Sequence, residues 1–181
     1  GVFHEHHYEF RFPILSGLDF VLRADALTMF FVPLSGLLWF LTTVYASAYL
    51  EGSPHRSRFF GFFSLCVSAT VGIALAGNLF TFVMFYELLT LTTSPLVVHR
   101  ETEMAQRAGR TYLIYTLAGG ALLLAGAVWL YALVPTVDFE MGSALAGLGT
   151  EHHVTLTLIF VMLVAGAGVK AALIPFHGWL P

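Results

Sequence analysis

Five apolar runs, each long enough to cross a bilayer, leave this chain few ways to fold. They cover 26–50, 59–77, 78–98, 111–134 and 154–174, and a hydrocarbon core about 30 Å thick takes roughly 20 apolar residues in helical form. Water cannot pair with a stray peptide group at that depth, so each run has to satisfy its own backbone as a helix. Composition agrees, with 57% hydrophobic and 10% charged residues, where a soluble domain carries about 25% charged residues. A formal net charge of −3 and no basic run longer than two residues argue against nucleic acid as a partner.

The expected fold is an all-α integral membrane bundle of five spans over residues 26–181, preceded by a short extracytoplasmic β-hairpin segment over 1–25. Pro33 interrupts the first span, which membrane helices tolerate when neighbours satisfy the freed carbonyl. Gly77 followed by Asn78 is a helix stop and a turn former, so the second and third spans form a tight helical hairpin. Near the N-terminus Tyr8, Phe10 and Phe12 alternate with polar residues, as do Leu18, Phe20 and Leu22, around a turn at 15–17. That period of two is the signature of a β-hairpin, placed here over the helix ends.

Loop charges give an orientation. Arg56 and Arg58 follow the first span, and Arg100, Arg107 and Arg110 follow the third. The other side holds Arg11 and Arg23 among four acids, and a 135–153 loop with Asp138, Glu140 and Glu151 but no Lys or Arg. The positive-inside rule puts the arginine loops in the cytoplasm, the N-terminus outside and the C-terminus inside.

Several residues receive plain readings. His4, His6 and His7 lack the defined spacing of a metal site, as do His152 and His153, so no metal and no cofactor is expected. Cys66, the single cysteine, lies in an apolar run and reads as a packing residue. The chain opens on Gly1 without the charged start of a signal peptide and stops at Pro181 inside a motif, as expected for a piece of a longer protein. Ala118, Gly119, Gly120, Ala121, Ala125 and Gly126 in the fourth span read as close helix packing. Ala165 to Gly168 in the fifth either pack or leave room beside a lysine.

Two ionisable groups stand inside these spans, and a charge at bilayer depth costs roughly 3 kcal/mol on insertion scales. Glu87 lies nine residues past Asn78, ~14 Å into the core at about 1.5 Å per residue, beyond the reach of snorkelling. Desolvation favours its neutral form and a nearby cation the charged one; a group held between the two can load and release a proton. Lys170 precedes Pro175 by five residues. That proline cannot bond the Ala171 carbonyl, so a helix break is expected at 170–175, of the kind that lines cavities and ion paths. His177 is a candidate proton carrier, a cap or an interfacial group. Trp179 reads as an interfacial anchor.

FYELLTL at 85–91, SPLVVH at 94–99 and VKAALIPFHGWLP at 169–181 resemble the glutamate- and lysine-bearing helices of one family. It comprises the antiporter-like membrane subunits of respiratory complex I, membrane-bound hydrogenases and Mrp-type cation/proton antiporters. The resemblance extends over most of the chain from about Asp19, including LRADALTMFF at the entry to the first span. It implies the N-terminal part of a two-repeat transporter in which Glu87 and Lys170 match the facing pair of the first repeat, with protons moving along a hydrated axis. It also implies partner membrane subunits, protons or sodium as cargo, and a bacterial, archaeal or energy-transducing organelle membrane. Redox chemistry, as in an NADH:quinone oxidoreductase-type translocase, would belong to partners, since no cysteine cluster or dinucleotide fingerprint is present. The tetrapeptide at 93–96 lacks the tyrosine often found before that proline.

The mechanism this suggests is charge-coupled proton movement through Glu87, Lys170 and His177. A charge pair at ~4 Å and an effective dielectric of about 20 interacts by roughly 4 kcal/mol, enough to switch a proton's residence. The alternatives are a stand-alone or two-component ion-coupled carrier and a non-conducting scaffold whose charges only hold helices together.

Overall fold

A computed structural model describes residues 8–15, 17–134, 137–139, 145 and 152–180. It is a multi-pass membrane protein with five helices long and apolar enough to cross a bilayer. They are α1 (Ala26–Tyr49), α2 (Arg56–Ala74), α3 (Leu79–Val97), α4 (Glu103–Leu133) and α5 (His153–Lys170). Each packs on the next in sequence. Leu79, Val83 and Tyr86 of α3, Leu123, Ala127 and Leu130 of α4 and Ile159 of α5 form the buried core. Among the described elements α1 packs mainly on α2 and β2 and leaves most of its apolar surface open.

Local chemistry sets the helix ends. Asp25 caps α1 by accepting the Thr28 N–H at 2.7 Å, and Asn78 caps α3 by accepting that of Thr81 at 2.9 Å, each satisfying an otherwise orphaned donor. α4 starts well before the expected residue 111, because Thr102 accepts the Ala105 N–H and Glu103 sits at the positive pole of the helix. Its 31 residues make about 46 Å of helix at 1.5 Å per residue, so the charged first turns stand outside the hydrocarbon. An apolar-run criterion does not see such a polar extension.

The N-terminal hairpin pairs β1 (Tyr8–Leu15) with β2 (Leu18–Ala24), antiparallel, in register from Tyr8 opposite Ala24 to Leu15 opposite Leu18. Gly17, at φ 84, makes the turn. β2 lies against the α2–α3 turn: Gly77 N–H donates to the Val21 carbonyl at 2.9 Å and Arg23 N–H to that of Leu75 at 2.7 Å. The Val21 N–H donates to the Thr81 hydroxyl at 2.8 Å. A Cβ on Gly77 would come within 2.6 Å of Val21, so the glycine that stops the helix also seats the strand. Beyond this turn, Leu79 N–H donates to the Val137 carbonyl and Phe139 N–H to that of Gly77, extending the small sheet.

Arg11 fastens this end of the molecule by donating to Glu9 and Asp19 at 3.0 Å and to Asp138 at 2.8 Å. At the opposite end Arg58 pairs with Glu101 at 2.6 Å and Arg100 donates to the Tyr49 hydroxyl at 2.8 Å. The acid-rich segments and the arginine loops therefore collect at opposite ends of the helices. His4, His6, His7, Glu140, Glu151 and Pro181 lie outside the described residues.

Candidate functional site

Lys170 is the last residue of α5. Ala172 takes the left-handed conformation at φ 51. Its N–H donates to Val169, and that of Leu173 reaches back to Gly168 at 2.9 Å, the pair of bonds that closes a helix on a left-handed residue. Gly168 leaves room for Leu173 to fold over this end, since a Cβ there would lie 3.0 Å from the leucine. The break thus falls within the expected stretch. It is made at Ala172, three residues before Pro175, so no helical bond remains for the proline to remove.

A helix end packed among apolar neighbours leaves carbonyls in need of donors. Several of them are met here. Gly166 accepts from the Tyr86 hydroxyl at 2.8 Å, Ala167 from Ala171 N–H, and Val169 from the Trp179 indole at 2.7 Å as well as from Ala172. The Trp179 ring also meets Tyr112 of α4 edge to face, with centroids 5.5 Å apart. Trp179 therefore caps α5, a role different from the free interfacial anchor expected of it.

The Lys170 ammonium donates to the Tyr86 carbonyl of α3 and stands over the Tyr86 ring, 3.7 Å from its centroid. Glu87, the next residue along α3, turns toward α4. Its Oε1 occupies the place where Gly120 would carry a side chain, and this buried oxygen has no hydrogen-bond partner among the described residues. Lys170 and Glu87 make no ion pair within 4 Å among the described residues; Tyr86 stands between them as the shared neighbour.

Each group faces its own cavity. One of about 550 Å³ is lined by Lys170, Tyr112, Trp179 and the Thr93 and Val97 side of α3, and lies toward the arginine end. Another, of about 470 Å³, is lined by Glu87, Phe80, Leu124, Tyr131 and Leu18 of the hairpin, and lies toward the acid-rich end. His177 is exposed on the segment after α5, and no ion pair joins it to Glu87 among the described residues. Pro175 is exposed in the same segment. His152 is the N-cap residue of α5 and His153 its first, exposed residue. Cys66 packs between α2 and α3, with its sulfur 3.4 Å from the Thr92 hydroxyl.

Tyr86, Gly120 and Trp179 complete the site, and sequence reasoning gave them no part in it. A signal for Gly120 was present. Adjacent helical residues point about 100° apart, so Gly119 and Gly120 cannot serve one interface. Gly119 meets Val169 of α5, where a Cβ would lie 2.7 Å away, which leaves Gly120 for Glu87.

Known membrane proteins match this chain along most of its length. The family model described as "NADH:quinone oxidoreductase/Mrp antiporter, TM" matches residues 76–181, and one for the N-terminus of complex I chain 5 matches 15–60. NADH-quinone oxidoreductase subunit N of Desulforudis audaxviator is 34% identical over 141 residues, 76% of this chain and 28% of its own length. A probable K(+)/H(+) antiporter protein of Rhizobium meliloti is 29% identical over 177 residues, 97% of this chain and 18% of its own. A chain of the Mrp complex from a Dietzia species superposes with a TM-score of 0.76 at 20% identity, over 99% of this chain and 33% of that one. The chain thus spans a third or less of the length of these relatives.

Proposed function

The chain belongs to the NADH:quinone oxidoreductase/Mrp antiporter family of membrane subunits, and we propose that it forms part of a protein moving protons, or cations against protons, with Glu87 and Lys170 as its working charges. One observation carries this reading: the Lys170 ammonium, at the end of α5, rests on Tyr86 beside Glu87. The negative pole of α5 holds the cation there. The Glu87 carboxylate, confined by no hydrogen bond on Oε1, is free to swing between Gly120 and the lysine. Its distance from the ammonium then governs whether the lysine keeps its proton or passes it on.

The two cavities support a division of access, Lys170 toward the arginine end and Glu87 toward the acid-rich end. With the arginine end cytoplasmic, a proton reaching Lys170 from inside would pass Tyr112 and Trp179, and His177 is a surface relay at the entrance. The relatives' names are those of antiporter and NADH-quinone oxidoreductase subunits, so the open face of α1 is assigned to lipid and neighbouring membrane subunits.

The test uses the full-length protein in vesicles with an internal pH dye. Glu87→Gln and Lys170→Met should each reduce ion-driven pH change to the empty-vesicle rate while assembly and thermal stability stay normal. Wild-type rates in both variants would overturn the assignment, and loss of assembly alone would identify a scaffold.

A further inference from the structure

At the arginine end two cavities run into one another. The outer, about 580 Å³, lies between the α1–α2 and α3–α4 turns, and the inner, about 370 Å³, continues between α1 and the end of α3. Tyr49, Leu50, His99 and Arg100 belong to both. The outer part is polar, with His55 and Thr102 on its walls. The inner part is an apolar gutter along Thr42, Tyr45, Leu96 and Val97. From Tyr49 back to Thr42 it descends about 10 Å at 1.5 Å per residue.

The charge of the mouth is positive. Glu101, the acid on its wall, is neutralised by Arg58 at 2.6 Å, and that guanidinium holds its carboxyl below the ordinary carboxylate range. Arg100 remains, held across the opening by its bond to the Tyr49 hydroxyl. The His99 ring lines both parts and meets Phe59 edge to face, with centroids 5.3 Å apart. The N-termini of α2 and α4 also meet here through His55 and Thr102, and α2 has no side-chain cap, so its first amides are open to an acceptor.

We propose that this combined cavity binds one anionic glycerophospholipid, with its phosphate at Arg100 near the start of α2 and an acyl chain in the gutter between α1 and α3. A positive mouth at headgroup level above an apolar groove fits that amphiphile and no simple anion. Neither Glu87 nor Lys170 lines it, so it stands apart from the transport reading.

Native mass spectrometry of the full-length protein in detergent tests it, with phosphatidylglycerol, phosphatidylcholine and soluble glycerol phosphate as probes. One phosphatidylglycerol should be retained in preference to phosphatidylcholine. Arg100→Gln should weaken it about tenfold, and Thr42→Trp, which plugs the gutter from an exposed position, should expel it. Arg56→Gln is the control: it removes the same charge at the same end, but Arg56 bonds the Ser47 carbonyl and lies outside both cavities, so retention should persist. Equal retention of the two lipids, equal losses for Arg100→Gln and Arg56→Gln, or binding of glycerol phosphate as tight as that of the lipid would each overturn the proposal.

Discussion

A methyl group on Gly120 would collide with the Glu87 carboxylate, whereas one on Gly119 would press within 2.7 Å of Val169 on α5. The two substitutions should therefore fail differently. Against Gly120→Ala a flexible carboxylate gives way; transport should fall about tenfold, the melting temperature barely moving, because the rest position of a reacting charge is what changes. Against Gly119→Ala the helix pair itself must part, at a cost of about 1–3 kcal/mol, visible as a lower melting temperature. Identical behaviour of the two variants would contradict this division. Glu87 and Lys170 were legible as single letters because an ion at bilayer depth is conspicuous. Tyr86, an aromatic among aromatics, and Gly120, one glycine of a pair, were not. Their meaning depends on the direction each faces, and helices apolar all round carry no stripe from which to read it.

Among the helices, α5 shows how a terminus packed against its neighbours is kept paired. The Trp179 indole supplies a donor to Val169 that the chain's own amides share but do not exhaust. Trp179→Phe keeps the ring against Tyr112 and removes only the N–H, so it should cost about 1 kcal/mol. Amide exchange at Ala171, Ala172 and Leu173 should quicken more than exchange in α3. Unchanged exchange there would show that the indole caps nothing. The break itself was readable from Pro175, but its agent was not, since an alanine in the left-handed region leaves no mark in sequence. The start of α4 was misjudged for the opposite reason: Thr102 and Glu103 form an ordinary soluble-type helix start ahead of the apolar run.

Taken whole, the protein has two differently built ends. The end away from the arginine loops joins the hairpin to the α2–α3 turn and to Asp138 of the α4–α5 connection, pinned by arginine–carboxylate bonds. There Glu9 is held below its ordinary 4.5, chiefly by Arg23 and further by Arg11. A carboxylate whose value falls on folding contributes stability above pH 4.5, and that contribution is lost as pH drops through the lowered value. Protection factors of the β2 amides, taken against the intrinsic exchange rate at each pH, should therefore fall below pH 4.5, and Glu9→Gln should abolish that acid limb; a flat profile in the wild type would refute the link. Five spans, the hairpin and their common ends were legible because length, alternation and loop charge are one-dimensional signals. The order of packing and the cavities between neighbours were not, because they depend on how helices rotate against each other.

The Arg11–Asp138 contact joins positions 127 residues apart. At ribosomal rates that interval is on the order of ten seconds of synthesis. The contact can therefore close only after α1 to α4 have been synthesised. The bonds from Arg11 to Glu9 and Asp19, 2 and 8 residues away, need no such delay, so one side chain joins the earliest and the latest links at this end of the molecule.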